Sequence, residues 1–133
     1  MNDQKNQSHL DEPSEWLKKT FNKGVHELND IGIVAASIVE ARPVWTFPYT
    51  LIIGKIRKKD SINDIYWMIC GDCPSTAIEG SLAETPRDAA KHFGLQWQLQ
   101  SINDNTLNNT EKSDLSRKAE SLLELTETDV LWN

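Results

Sequence analysis

Two cysteines at C-x-x-C spacing, in Cys70-Gly71-Asp72-Cys73, are the residues of this 133-residue chain whose types most directly suggest chemistry. Such a pair at a strand end can cycle between dithiol and disulfide when a positive local field lowers the pKa of one thiol. Here the neighbour is Asp72, which would raise it. The Pro74–Gly80 tract that follows also reads as loop, not as the helix start a redox pair uses. The expected role of Cys70 is therefore that of a small buried hydrophobe. Cys70, Cys73 and His92, with His26 or another ligand as a fourth, have residue types that suit zinc. The second C-x-x-C or paired histidines that would complete the pattern are missing, so neither a metal nor another cofactor is expected.

Asp72, Arg87, Asp88 and His92 would make an acid–base cluster if the loop after Asp72 folded over the helix start at Pro86. Arg87, beside that helix N-terminus, could then hold a carboxylate or phosphate. The plainer expectation is that Arg87 pairs with Asp72 or Glu84 and fastens the loop. Ser75, Thr76 and Ser81 stand in no triad context, and the balance is against an enzyme. Trp45, Phe47, Tyr49, Tyr66, Trp67 and Trp97 could line an apolar pocket or a partner groove. Trp67 and Trp97 are assigned to the core, and Trp45, in a Pro-flanked loop, is the candidate exposed anchor.

The elements that must position these residues follow from periodicity. Leu17, Phe21, Val25 and Leu28 repeat at helical spacing with Trp16 beside them, predicting a helix over 13–28 with Pro13 in its first turn. Residues 1–12 are polar and read as a disordered lead-in. Strands are expected at 33–41, 49–57 and 65–70, the last apolar on both faces and hence central or covered. The charged link 58–64 allows a hairpin, so the simplest topology is an antiparallel meander. Residues 71–85 read as loop. Thr85 as N-cap, Pro86 and Asp88 then start a helix, with Ala89, Phe93 and Trp97 in one stripe, ending near 102–105. A last helix over about 111–128, with Thr110 as a cap, carries Leu115, Ala119, Leu122 and Leu123. It would dock on the domain or serve oligomerisation. The fold class expected is α+β: an N-terminal helix, a three-stranded antiparallel meander and two C-terminal helices, forming one domain over 13–133.

Composition limits the partners. Fourteen Lys and Arg against twenty Asp and Glu give a net charge of -6. That balance disfavours a nucleic acid or an anionic membrane, which need clustered basic surface. The basic run Lys55–Lys59 is expected to be a solvated strand end, with a contact patch as the alternative. No apolar run reaches membrane-spanning length and residues 1–12 lack a signal-peptide core, so a cytoplasmic protein is expected.

Pro48-Tyr49 opening a strand, Trp67-x-Ile69-Cys70-Gly71-Asp72-x-Pro74 closing another, and Pro86-Arg87-Asp88-Ala89 with Phe93 and Trp97 together resemble an uncharacterised family of small bacterial proteins catalogued as a domain of unknown function. The resemblance spans about residues 42–98 and leaves out residues 1–12 and the helix after Asn109. Cys73 departs from the apolar residue associated with its position, which weakens the redox and zinc readings further. The resemblance implies no reaction, cofactor or substrate. The leading expectation is a non-enzymatic module that binds a protein partner or a second copy, in the manner of an acidic inhibitor or immunity protein. The alternative is a small-molecule or enzymatic site at the Cys70–Pro74 turn and the Pro86 helix start.

Overall fold

Strands Leu51–Lys58 and Ile65–Gly71 lie at the centre of a sheet in the structure, a computed structural model that describes residues 2–30, 38–58 and 65–132. We label them β2 and β3. With Ile38–Phe47 (β1) and Thr76–Glu79 (β4) they form an antiparallel sheet in the order β1-β2-β3-β4. The α+β class and the meander are as expected, but the sheet has four strands where three were expected. The missed strand, β4, lay in the predicted loop 71–85. It is four residues long and buries only Ile78, too little for an alternation to show. The chain divides into two compact units, residues 1–79 and 80–133, described in turn.

The first unit holds the sheet and helix Asn2–Asp30 (α1). The helix begins at Asn2, not at Pro13, because residues without an apolar stripe give no packing signal even where the backbone continues as helix. One face of the sheet is closed by α1: Phe21 and Leu28 pack with Ile52, Ile56, Met68 and Cys70, flanked by Trp16, Leu17 and Val25. The approach is close. A β-carbon on Gly24 would lie 2.6 Å from Cβ of Cys70, and one on Gly54 would lie 2.6 Å from the Phe21 ring. In β3, Trp67, Met68, Ile69 and Cys70 are all buried, as its two-sided apolarity predicts for a central strand.

The first strand is displaced along the sequence. It was expected over 33–41, of which 33–37 lie outside the described residues, and it runs instead through Pro43, Trp45 and Phe47. A proline is tolerated there because β1 is an edge strand, and the register slips between Pro43 and Trp45. Trp45 is accordingly a half-buried strand residue with its ring 6.4 Å from that of Phe47, not a loop anchor.

The second unit is a helical hairpin of Pro86–Asn103 (α2) and Asn109–Thr126 (α3), ending in a 3-10 turn at Asp129–Trp132. The Thr85 hydroxyl accepts the amide N–H of Asp88, with Pro86 in the first turn, as the residue types dictate. The cap of α3 is Asn108, not Thr110. Its side chain and that of Glu111 form a capping box, which an Asn two residues before Thr110 makes better than a β-branched residue inside the helix. Leu115, Ala119 and Leu122 are buried, and Gly94 lets Leu123 reach the α2 backbone. The apolar end of the chain finds its partner locally, the Trp132 indole N–H donating to the Leu125 carbonyl at 2.8 Å. Among the described residues no helix is long and apolar enough to cross a membrane.

Candidate functional site

The sharpest local departure from ordinary backbone geometry is at the turn joining β1 to β2. Phe47–Thr50 is closed by the Thr50 N–H donating to the Phe47 carbonyl at 3.0 Å. Pro48 sets a negative φ at the second position, and Tyr49 follows with φ 61°. That combination is a type II turn, whose third position favours Gly or Asn over a bulky ring. Tyr49 is nevertheless aromatic, 53% exposed, and set against Trp16 of α1 with ring centroids 5.6 Å apart.

The end of β3 is fastened to the same turn. The Asp72 N–H donates to the Thr50 carbonyl at 2.7 Å. Gly71, at φ 124°, leaves no room for a side chain: a β-carbon would lie 2.5 Å from the Thr50 oxygen. Pro48-Tyr49 and Cys70-Gly71-Asp72, far apart in sequence, are thereby held as one corner.

Between that corner and α1 lies a cleft of about 240 Å³. Trp16, Thr20, Lys23 and Glu27 form its helical wall, at spacings of four, three and four that keep them on one face over roughly 16 Å. Tyr49, Cys70, Gly71 and Asp72 form the other wall. At one end Glu27 accepts a hydrogen bond from the Ser75 hydroxyl at 3.4 Å. The cleft thus carries an aromatic pair, two carboxylates and one ammonium.

Cys70 is a poor reagent in this setting. Burial, and then the Glu27 charge, push its thiol up to about 12, so it stays protonated at neutral pH. No disulfide joins it to Cys73. Among the described residues no three His, Cys, Asp or Glu side chains are grouped to hold a metal ion.

A family model matches residues 11–132 of the chain. The chain belongs to Domain of unknown function (DUF4826). The DUF4826 match reaches well past residues 42–98, where the sequence resemblance lay, and takes in α3, which that resemblance left outside. No curated protein and no solved structure matches the chain.

Within this DUF4826 chain the predicted site residues divide between the two units. Cys70 and Asp72 line the cleft. Arg87, Asp88 and His92 lie on α2. Arg87 pairs with neither Asp72 nor Glu84: its Nε donates to the Thr126 carbonyl at 2.7 Å and its Nη2 to the Asp129 carboxylate at 2.6 Å. The end of α3 returns to the first turn of α2 and occupies the guanidinium that was a candidate anion ligand. Asp88 lines a groove of about 540 Å³ with Arg87, Lys91 and Glu127, and His92 is half-buried outside it. Sequence reasoning missed Trp16, Thr20, Lys23 and Glu27. Their helical spacing was legible, but three of the four are polar and looked like a solvent face.

Proposed function

We propose that this DUF4826 protein is a non-enzymatic protein-binding module, of inhibitor- or immunity-like kind, that takes a cationic side chain of a basic partner into the Trp16–Tyr49 cleft. One observation carries the reading: the exposed Tyr49 ring, held on an unfavourable backbone against the half-buried Trp16, shares one cleft with the carboxylates of Glu27 and Asp72. Aromatic faces and carboxylates together attract a guanidinium or ammonium. Positive φ at a bulky residue costs stability and persists where the surroundings impose it, often at a binding site. The volume suits one long side chain and falls short of the range typical for drug-sized ligands. The net charge of -6 favours encounter with a basic partner. Among the described residues the one thiol lining the cleft, Cys70, is protonated at neutral pH, which supports binding over catalysis.

The test is an NMR titration with a short Arg-containing peptide, with a Glu-containing peptide as control. Saturable shifts of the Trp16 and Tyr49 ring signals are expected with the first peptide only. Tyr49→Asn, which suits the backbone but removes the ring, should abolish them while leaving stability within about 1 kcal/mol. Lys23→Met, which removes the competing cation, should tighten binding. Equal binding by Tyr49→Asn would overturn the reading.

A second reading, a homodimer, is favoured by the exposed face of α2. Leu95, Leu99 and Ile102 are 47%, 62% and 71% exposed and border a groove of about 550 Å³. From His92 to Asn103 the helix carries no Asp, Glu, Lys or Arg. Two copies of an acidic chain meet with least repulsion across such a face. The dimer helix would then be α2, not α3 as the sequence suggested. Sedimentation equilibrium should show association that Leu99→Glu abolishes, and a monomer at all concentrations would exclude it.

A further inference from the structure

The face of the sheet opposite α1 carries a second, independent feature. Arg42 of β1 and Lys55 of β2 are register partners, directly opposed across the strand pair. Lys55 is in turn opposite Trp67 of β3, and its ammonium lies 4.6 Å from that ring's centroid. One row across three strands therefore reads Arg42, Lys55, Trp67. The adjoining row is Glu40, Arg57 and Ile65. In it the Arg57 Nε donates to the Glu40 carboxylate at 3.0 Å.

The charges do not balance. Like charges directly opposed on a strand pair repel. Among the described residues neither Arg42 nor Lys55 has a carboxylate within ion-pair distance, and the one carboxylate of the cluster, Glu40, is taken by Arg57. Among the described residues, three cations against one anion leave the cluster a surplus of two positive charges, on a chain whose total is -6. A groove of about 220 Å³ opens over this cluster, lined by Glu40, Arg42, Lys55, Arg57 and the exposed Ile65.

We propose that this groove is a binding site for a small organic phosphate monoester. A phosphate monoester near neutral pH carries close to two negative charges, which match the surplus. The Arg42 fork can hold two phosphate oxygens while Lys55, steadied over Trp67, supplies a point charge beside it. The groove exceeds what a bare oxyanion fills, and Ile65 offers apolar surface to the organic group. An anion bridging Arg42 and Lys55 would relieve the repulsion that their register imposes. This site stands apart from the Trp16–Tyr49 cleft and does not depend on its reading.

The test is a titration of the full chain with phenyl phosphate, followed by amide NMR at constant ionic strength, with inorganic phosphate run in parallel. Saturable shifts are expected at residues 40–42 and 55–57, tighter for phenyl phosphate than for the inorganic ion. Arg42→Ala with Lys55→Ala should weaken binding by about 10-fold or more. Glu40→Gln, which frees Arg57, should tighten it, an outcome that damage to the sheet would not produce. The proposal is overturned by the same binding curve in the double variant, by shifts spread over all basic residues, or by no saturation below about 10 mM.

Discussion

Cys70 shows how environment decides what a reactive residue type can do. Its thiol is pushed to about 12 from an ordinary 9.0 by burial and by Glu27. The folded state then holds the thiol proton more tightly than the unfolded state does. The stability tied to that proton is fully present below pH 9 and is lost as pH rises towards 12. Urea midpoints measured from pH 8 to 11 should fall more steeply in the wild type than in Cys70→Ala, with the curves parallel below pH 9. At this scale the cleft was half legible. Cys70 and Asp72 follow from a strand end that meets a Gly, and Tyr49 was among the aromatics considered for a pocket. The helical wall was hidden because a Trp, a Thr, a Lys and a Glu at helical spacing look no different from any solvated stripe until the sheet opposite them is known.

Elements were legible where the local chemistry is self-sufficient and obscure where a neighbour decides. Thr85-Pro86 and Asp88 specify the start of α2 without reference to anything else. The strand β1 passes through Pro43 because it pairs on one side only, a fact of the sheet and not of the segment. The start of α3 was misplaced by two residues because Thr110 and Asn108 both have capping side chains, and only the reciprocal bonds with Glu111 select Asn108. That choice can be measured. Asn108→Ala should lower stability by about 1 kcal/mol, whereas Thr110→Ala, inside the exposed first turn, should change it by less than about half that. Chemical denaturation of the two variants side by side distinguishes the assignments.

For the whole molecule, the family match runs to residue 132, and α3 packs against α2 within the second unit. Leu123 fills the space over Gly94, and Thr126 and Asp129 hold Arg87 at the start of α2. An 18-residue helix deprived of its partner is marginal in water. A chain ending at Asn108 should therefore lose more helical circular dichroism than α3 itself supplies, because α2 frays with it. Retention of all the α2 signal would instead make α3 dispensable to the unit.

The meeting of Gly24 and Cys70 carries a consequence for how chains of this fold diverge. With the β-carbon of Cys70 in place, one on Gly24 would lie 2.6 Å from it, well inside contact distance. Of these two positions, 46 residues apart in the chain, one must be glycine for as long as the helix keeps its distance from the sheet. Replacing Cys70 by Ala would not release Gly24, since alanine retains the offending carbon; only glycine at 70 would. Evolution can therefore exchange which position is bare but cannot fill both, and an inherited change at one should be followed by a matching change at the other.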